Sequence, residues 1–137
     1  MKFLALPLTI AVALSTGSLA EKKPKVSVKA NPTMGMSPVR VVVTADITGG
    51  ANDDAEFYCA TVEWEWGDDT RSTNSEDCDP YVEGKSEFKR RFAADHVYQS
   101  AGEYRVQFRL KKKDKTIGAG STAIKVRPGL GDPGGDR

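Results

Sequence analysis

Apolar and polar residues alternate with a period of two along most of this chain, which predicts strands and not helices. The alternation is clearest over residues 104–110, where Tyr104, Val106, Phe108 and Leu110 share one face. The other predicted strands are residues 26–30, 39–47, 57–66, 87–92 and 116–126. Polar or glycine-bearing turns separate them, and no amphipathic helix or internal repeat interrupts the pattern. About seven strands in this arrangement favour an all-β, immunoglobulin-like sandwich.

The segment 57–66 supplies the centre of the predicted core. By alternation, Tyr58, Ala60, Val62, Trp64 and Trp66 point inward, and Cys59, Thr61, Glu63 and Glu65 point outward. The following residues, 67–70, form a polar turn. Residues 71–86 are polar and irregular and are interpreted as a long connection.

The first twenty residues have the form of a signal peptide. Lys2 precedes an apolar stretch from Phe3 to Leu14, and Ser18-Leu19-Ala20 predicts cleavage before Glu21. The alternative is an uncleaved anchor, although the stretch is shorter than the roughly 20 residues that span a bilayer. No later segment is apolar enough to cross a membrane. We therefore expect a secreted or periplasmic protein with a sandwich domain over 21–127 and a disordered Gly/Pro-rich tail over 128–137.

Charge is balanced in total but uneven along the chain. Removing Lys2 with the signal peptide leaves 19 basic residues from the original 20, against 19 acidic residues. This balance argues against nucleic acid as a partner, since phosphate binding needs an excess of Lys and Arg. Acids dominate residues 53–87, and basic residues dominate 88–137. Cross-strand pairing of Glu63 and Glu65 with Arg105 and Arg109 would explain part of this asymmetry.

The two cysteines predict one disulfide, Cys59 to Cys78, because the chain is expected to be exported. A zinc site is the poorer alternative, because two cysteines and the single His96 do not complete four ligands. No cofactor is expected.

Two ordered motifs resemble the polycystic-kidney-disease (PKD) domain family. Trp64-Glu65-Trp66-Gly67-Asp68-Asp69-Thr70 is similar to its Trp-Asp-Phe-Gly-Asp-Gly-Thr signature. The later His96-Val97-Tyr98 and Gly102-Glu103-Tyr104-Arg105-Val106 are similar to its His-x-Tyr and Gly-x-Tyr-x-Val segment. The resemblance covers roughly residues 26–126. It departs at Asp69, which replaces a glycine, and at residues 71–86, which look like an insertion.

The resemblance implies a seven-stranded sandwich that serves outside cells as a spacer, an adhesion element or an accessory to secreted enzymes. It also implies that the motif residues are structural, namely Trp64, Trp66, Gly67, Asp68, His96, Tyr98, Gly102 and Tyr104. Catalysis by His96 would require a nucleophile and an orienting acid nearby. Tyr98 is interpreted as a corner tyrosine that bonds a neighbouring turn.

Two groups of charged residues are candidates for ligand binding. Asp68 and Asp69 would offer calcium ligands together with Asp53 and Asp54 if their two loops met at one end of the sandwich; the alternative is turn capping. The basic runs Lys89-Arg90-Arg91 and Lys111-Lys112-Lys113 would suit an acidic polysaccharide, an anionic lipid or an acidic protein. Their alternative role is to protect strand edges from aggregation.

The sequence therefore predicts an exported, non-catalytic module that binds or spaces a protein or polysaccharide of the cell envelope or its surroundings. An accessory subunit or modulator of a secreted hydrolase is the second interpretation. A hydrolase acting through acidic loop residues is the third, and it lacks an evident nucleophile and base.

Overall fold

The computed structural model describes residues 23–130, so the predicted signal peptide and residues 131–137 of the predicted tail lie outside the described residues. Within this range the structure is all-β. The strands are β1 Lys25–Asn31, β2 Met34–Met36, β3 Val39–Thr48, β4 Thr61–Glu65, β5 Arg71–Asn74, β6 Arg91–Tyr98, β7 Gly102–Lys112 and β8 Lys115–Arg127. No helix of the described residues is long and apolar enough to cross a membrane.

Two sheets face each other and form the predicted sandwich. One sheet has the order β1-β3-β6, and the other has the order β2-β8-β7-β4-β5. All pairings are antiparallel except β2 with β8, which is parallel. The chain moves from the first sheet to the second between β1 and β2. The all-β sandwich is confirmed, while the described residues contain eight strands where about seven were predicted.

The core lies between the inward faces that the alternation predicted. On β3, Val41, Val43 and Ala45 are fully buried and Ile47 is 3% exposed. On β7, Val106, Phe108 and Leu110 are at most 1% exposed. Burying one such side chain contributes about 1.5–3 kcal/mol, so these two strands supply much of the driving force for folding.

The strand predicted over 57–66 is shorter in the structure, because residues 55–59 form a turn before β4. Cys59 has a φ of +54°, a left-handed conformation that ends strand geometry. As a result Phe57, and not the predicted Tyr58, enters the core at 8% exposure. Ala60, Val62, Trp64 and Trp66 are buried as predicted.

Residues 71–86 are not entirely irregular, because β5 pairs with β4 from Arg71 to Asn74. All four β5 side chains are exposed, so this edge strand has no apolar pattern that a sequence can reveal. The strand predicted over 87–92 begins only at Arg91 and continues to Tyr98. Phe88 is buried, but it lies in the loop before the strand.

Two glycines of β8, Gly118 and Gly120, lie where β1 approaches this strand closely. A Cβ atom on Gly120 would stand 2.7 Å from Val28 Cγ2. A register shift between β7 and β8 falls beside Gly118, at Leu110 and Lys111. A side chain at position 120 would therefore push the two sheets apart along this side of the sandwich.

Candidate functional site

The residues of the two motifs meet at one end of the sandwich and form an aromatic stack. Trp66 lies between Trp64 and His96, with ring centroids 5.5 Å and 4.7 Å away and rings nearly parallel to both. The stack continues through Tyr98 to Tyr104, whose ring centroids are 4.3 Å apart. Trp66 and Tyr98 are each 1% exposed. The motif side chains therefore bridge the two sheets.

Hydrogen bonds tie the turn after β4 to this stack. His96 Nε2 lies 2.7 Å from Asp68 Oδ2, and the Thr70 hydroxyl donates to Asp68 Oδ1. Burial raises the pKa of Asp68, but the hydrogen bonds from Thr70 and His96 together outweigh that effect and hold the pKa below its ordinary value. The Tyr98 hydroxyl donates to the Trp66 carbonyl at 2.7 Å. Burial in turn raises the pKa of Tyr98.

The proximity of Thr70, His96 and Asp68 does not make a nucleophile and base. His96 Nε2 donates to the Asp68 carboxylate, so this nitrogen does not carry a free lone pair toward Thr70, whose oxygen is 3.4 Å away. The Thr70 hydroxyl already donates its hydrogen bond to Asp68 Oδ1. In a hydrolytic triad the acid and the nucleophile bond opposite nitrogens of the ring. The arrangement here closes a turn.

Two residues of that turn have left-handed backbones. Gly67 has a φ of +86°, and a Cβ there would stand 2.7 Å from the Arg105 carbonyl oxygen. Asp69, which replaces the family's glycine, has a φ of +65°. Aspartate tolerates this region better than most residues, so the turn keeps its form without the glycine.

At the opposite end, residues 75–90 form a loop that several separate contacts hold in place; we call it the stapled loop. The predicted disulfide between Cys59 and Cys78 is present, with Cα atoms 6.0 Å apart. The Tyr58 hydroxyl donates to the Asp79 carbonyl at 2.6 Å. The Tyr81 hydroxyl donates to the Asp53 carbonyl, and its ring packs on Tyr58 at 5.5 Å.

The root of the stapled loop is anchored in the core. Phe88 packs on Phe57 at 5.4 Å, and its amide donates to the Asn52 carbonyl at 3.0 Å. Arg90 covers the Phe88 ring at 4.4 Å and donates to the carbonyls of Ile47 and Gly49. This structural role of Arg90 was not predicted. The sequence does carry a signal for it, because Arg90 interrupts the alternation of apolar and polar residues in this segment.

The tip of the stapled loop is turned toward solvent. Tyr81 is 37% exposed and Val82 is 49% exposed. The Ser86 side chain accepts a hydrogen bond from the Val82 amide at 2.8 Å, which fixes the backbone of the tip. The exposed acids along the loop are Glu76, Asp77, Asp79, Glu83 and Glu87, against two exposed cations, Lys85 at the tip and Lys89, which pairs with Glu76. The loop therefore displays an apolar and acidic surface on a fixed frame.

No protein-family model matches the chain, and no curated protein matches it. Among solved structures, a PKD domain of an M14-like peptidase from Thermoplasmatales archaeon SCGC AB-540-F20 matches with a TM-score of 0.51. The identity is 18%, and the match covers 78% of this chain and 98% of that chain. The chain has a PKD-type immunoglobulin-like fold.

A CARDB domain from Pyrococcus furiosus, solved in complex with di-metal ions, is also similar. Its TM-score is 0.45 at 13% identity, and the match covers 77% of this chain and 94% of that chain.

Most residues of the two basic runs have hydrogen-bond or ion-pair partners within the PKD-type sandwich. Lys89 pairs with Glu76 at 3.2 Å, Arg91 pairs with Asp46 at 2.7 Å, and Arg90 is bound to backbone carbonyls. Lys111 pairs with Glu63 at 2.7 Å, and Lys112 donates to the Tyr58 carbonyl. Only Lys113, exposed in the β7–β8 turn, lacks such a contact within the described residues. Intramolecular partners therefore engage most of the two runs, and their use as a ligand surface stays a prediction.

Of the two arginines predicted to form cross-strand ion pairs with Glu63 and Glu65, only Arg109 does so within the described residues. Arg109 pairs with Glu65 at 2.7 Å and with Glu63 at 3.3 Å. Arg105 instead donates to the Ser121 hydroxyl at 2.8 Å, because its register partner on β8 is Ala123 and it lies beyond the end of β4. Hydrogen bonds from Lys111 and Arg109 hold the pKa values of Glu63 and Glu65 below their ordinary range.

The four candidate calcium ligands do not meet. Asp68 contacts His96, which pairs with Val41 near the start of β3, whereas Asp53 follows the end of β3 at Thr48. Seven strand residues separate these positions by about 20 Å. Over residues 23–130 there is no cluster of three or more His, Cys, Asp or Glu side chains placed to hold a metal. The condition for that site, two loops meeting at one end, is not met.

Proposed function

We propose that this chain is an exported, non-catalytic binding module whose recognition element is the stapled loop of residues 75–90. One observation carries the proposal: the loop is fixed at several points, yet its tip exposes Tyr81 and Val82 among acids. Ordering a loop on binding costs affinity, so a loop ordered beforehand binds more tightly for the same contacts. A spacer would not need such a surface.

The partner that this loop fits is a protein of the cell envelope or its surroundings. The tip combines a tyrosine and a valine with carboxylates, and a partner with an apolar depression and basic rim complements it. Polysaccharide is the other partner expected from the sequence. Export is supported by the form of residues 1–20 and by the disulfide, which persists in oxidising compartments.

An accessory role beside a secreted hydrolase is the second candidate. The observation that favours it is the similar solved domain, which belongs to an M14-like peptidase. In that role the stapled loop would contact the enzyme or its substrate.

The test is site-specific photo-cross-linking in the native host. A photoreactive residue replaces Val82 in one variant and Lys29, exposed in the middle of β1, in the control. We expect one dominant cross-linked protein from position 82, none from position 29, and a lower yield when Cys59→Ser and Cys78→Ser are added. Equal yields from both positions, or no product from a folded chain that also fails to bind polysaccharide, would refute the proposal. A captured hydrolase would select the second candidate, and binding on a polysaccharide array without protein capture would select glycan.

A further inference from the structure

A second exposed apolar surface lies on the outer face of the larger sheet, at the end remote from the stapled loop. Met34 is 50% exposed and Met36 is 60% exposed. Their register partners on β8 are Lys125 and Arg127, which are also exposed. Gly35 and Val126, between them, face the core, so all four outer side chains lie on one face. We call these four residues the methionine face.

The cations of the methionine face differ from other cations of the same sheet in lacking an ion pair within residues 23–130. Farther along the same sheet, Arg109, Lys111 and Arg71 are occupied by Glu63 and Glu65. Among the described residues, no carboxylate forms an ion pair with Lys125 or Arg127, although Glu103 lies opposite Lys125 in register. Methionine and arginine are enriched at protein interfaces, and methionine adapts to irregular apolar partners.

The chain itself carries a surface of the complementary character. The tip of the stapled loop exposes Tyr81 and Val82, and Asp79 and Glu83 flank them. The methionine face exposes two apolar side chains flanked by two cations. Balanced charge over the mature chain adds no net repulsion between copies.

We propose that the stapled loop of one copy docks on the methionine face of a second copy. This inference rests on the proposed function, because it names one partner for the same loop. The loop lies beside the β7–β8 turn, where Lys112 contacts Tyr58, and the methionine face lies ten β8 residues away. That separation is about 30 Å, so one copy cannot join its own two surfaces. The contact is head-to-tail and yields chains or rings in place of a two-fold dimer.

The test is sedimentation velocity of the oxidised mature chain over a concentration series at low and high salt. We expect the average mass to rise with concentration beyond that of a dimer, and the association constant to fall at least tenfold in high salt. A single monomeric species at every concentration would overturn the inference, and a species that stops at a two-fold dimer would do so as well.

Charge exchange provides the specific test. Lys125→Glu alone and Glu83→Lys alone should each weaken association at least tenfold, whereas the double variant should regain most of it because the opposite charges are restored. Lys29→Glu, on the outer face of the smaller sheet, is the matched control and should change nothing. Failure of the double variant to recover, with circular dichroism showing a folded chain, would refute the contact. Cross-linking from position 82 to a different protein would then leave the proposed function standing.

Discussion

The two ends of this sandwich use aromatic side chains in opposite ways. At the motif end, Trp66, His96 and Tyr98 stack inward and their polar atoms bond the chain's own backbone and turn. At the other end, Tyr81 bonds the neighbouring loop through its hydroxyl, yet its ring and Val82 remain exposed. These motif residues, which make the fold recognisable in the sequence, are therefore packed and hydrogen-bonded within the sandwich. Tyr81 and Val82, which lie outside the motifs, keep exposed surface that the fold does not bury.

The largest effect is expected at the motif end. Trp66→Ala removes a buried ring that packs on Trp64 and His96 and donates to the Ser72 hydroxyl at 2.9 Å. We expect a loss of about 3–5 kcal/mol in the free energy of unfolding, because the cavity cannot fully collapse. Urea denaturation of the mature chain measures it. A loss below about 1 kcal/mol would show that the aromatic stack is not what joins the sheets.

The next effect belongs to the stapled loop. Replacing both cysteines by serine should lower the free energy of unfolding by about 3 kcal/mol, because a 19-residue separation is no longer closed in the unfolded chain. Limited proteolysis should then cut within residues 75–87 first, while tryptophan fluorescence from the motif end stays unchanged. Cleavage at the same rate with and without the disulfide would mean that the tyrosine contacts alone hold the loop.

Tyr98→Phe is expected to lower the free energy of unfolding by less than the two changes above. It deletes the hydroxyl that reaches the Trp66 carbonyl and leaves that buried acceptor unsatisfied, which costs about 1–3 kcal/mol. The matched control is Tyr81→Phe, whose lost bond is exposed and should cost less than about 1 kcal/mol. If the two variants were equally destabilised, the distinction between a buried and an exposed tyrosine would not hold.

A smaller effect depends on pH. The pKa of Asp68 is held below its ordinary value in the folded chain, so its contribution is complete above about pH 4 and is lost as the pH falls through the folded pKa. Asp68→Asn should therefore be less stable than the parent at pH 6, with the difference shrinking as the pH falls below about 4. Thermal melts across this range measure it, and a constant difference would contradict the pairing with His96.

The smallest change in stability is expected at the loop tip. Glu83→Ser alters an exposed side chain and should shift the free energy of unfolding by less than about 0.5 kcal/mol. Chemical denaturation measures the shift. A larger loss in the free energy of unfolding would show that the loop tip, like the motif end, stabilises the fold.

Much of the fold was predictable because it is encoded in local patterns. The alternation over residues 39–47 and 104–110 fixes which side of β3 and β7 is buried. The turn over residues 55–59 was not predictable, because the alternation of apolar and polar residues carries no signal of the left-handed backbone at Cys59. β5 was missed because an exposed edge strand needs no apolar side chains.

The candidate site was less predictable, because exposure of a charge depends on partners that are distant in sequence. In the sequence, Lys89, Arg91 and Lys111 belong to runs of exposed basic residues. In the folded chain they form ion pairs with Glu76, Asp46 and Glu63, respectively. The methionine face could not be found in the sequence, since Met34 and Met36 acquire their cationic neighbours only through pairing of β2 with β8.

The central claim is that recognition resides in the tip of the stapled loop and not in the fold. The most direct measurement compares partner capture by the oxidised parent with capture by the variant Val82→Ser/Glu83→Ser, using chemical cross-linking in the native host. The account predicts that the free energy of unfolding of the variant lies within about 1 kcal/mol of the parent's, and that the dominant cross-linked product is lost. Unchanged capture by the folded variant would contradict it.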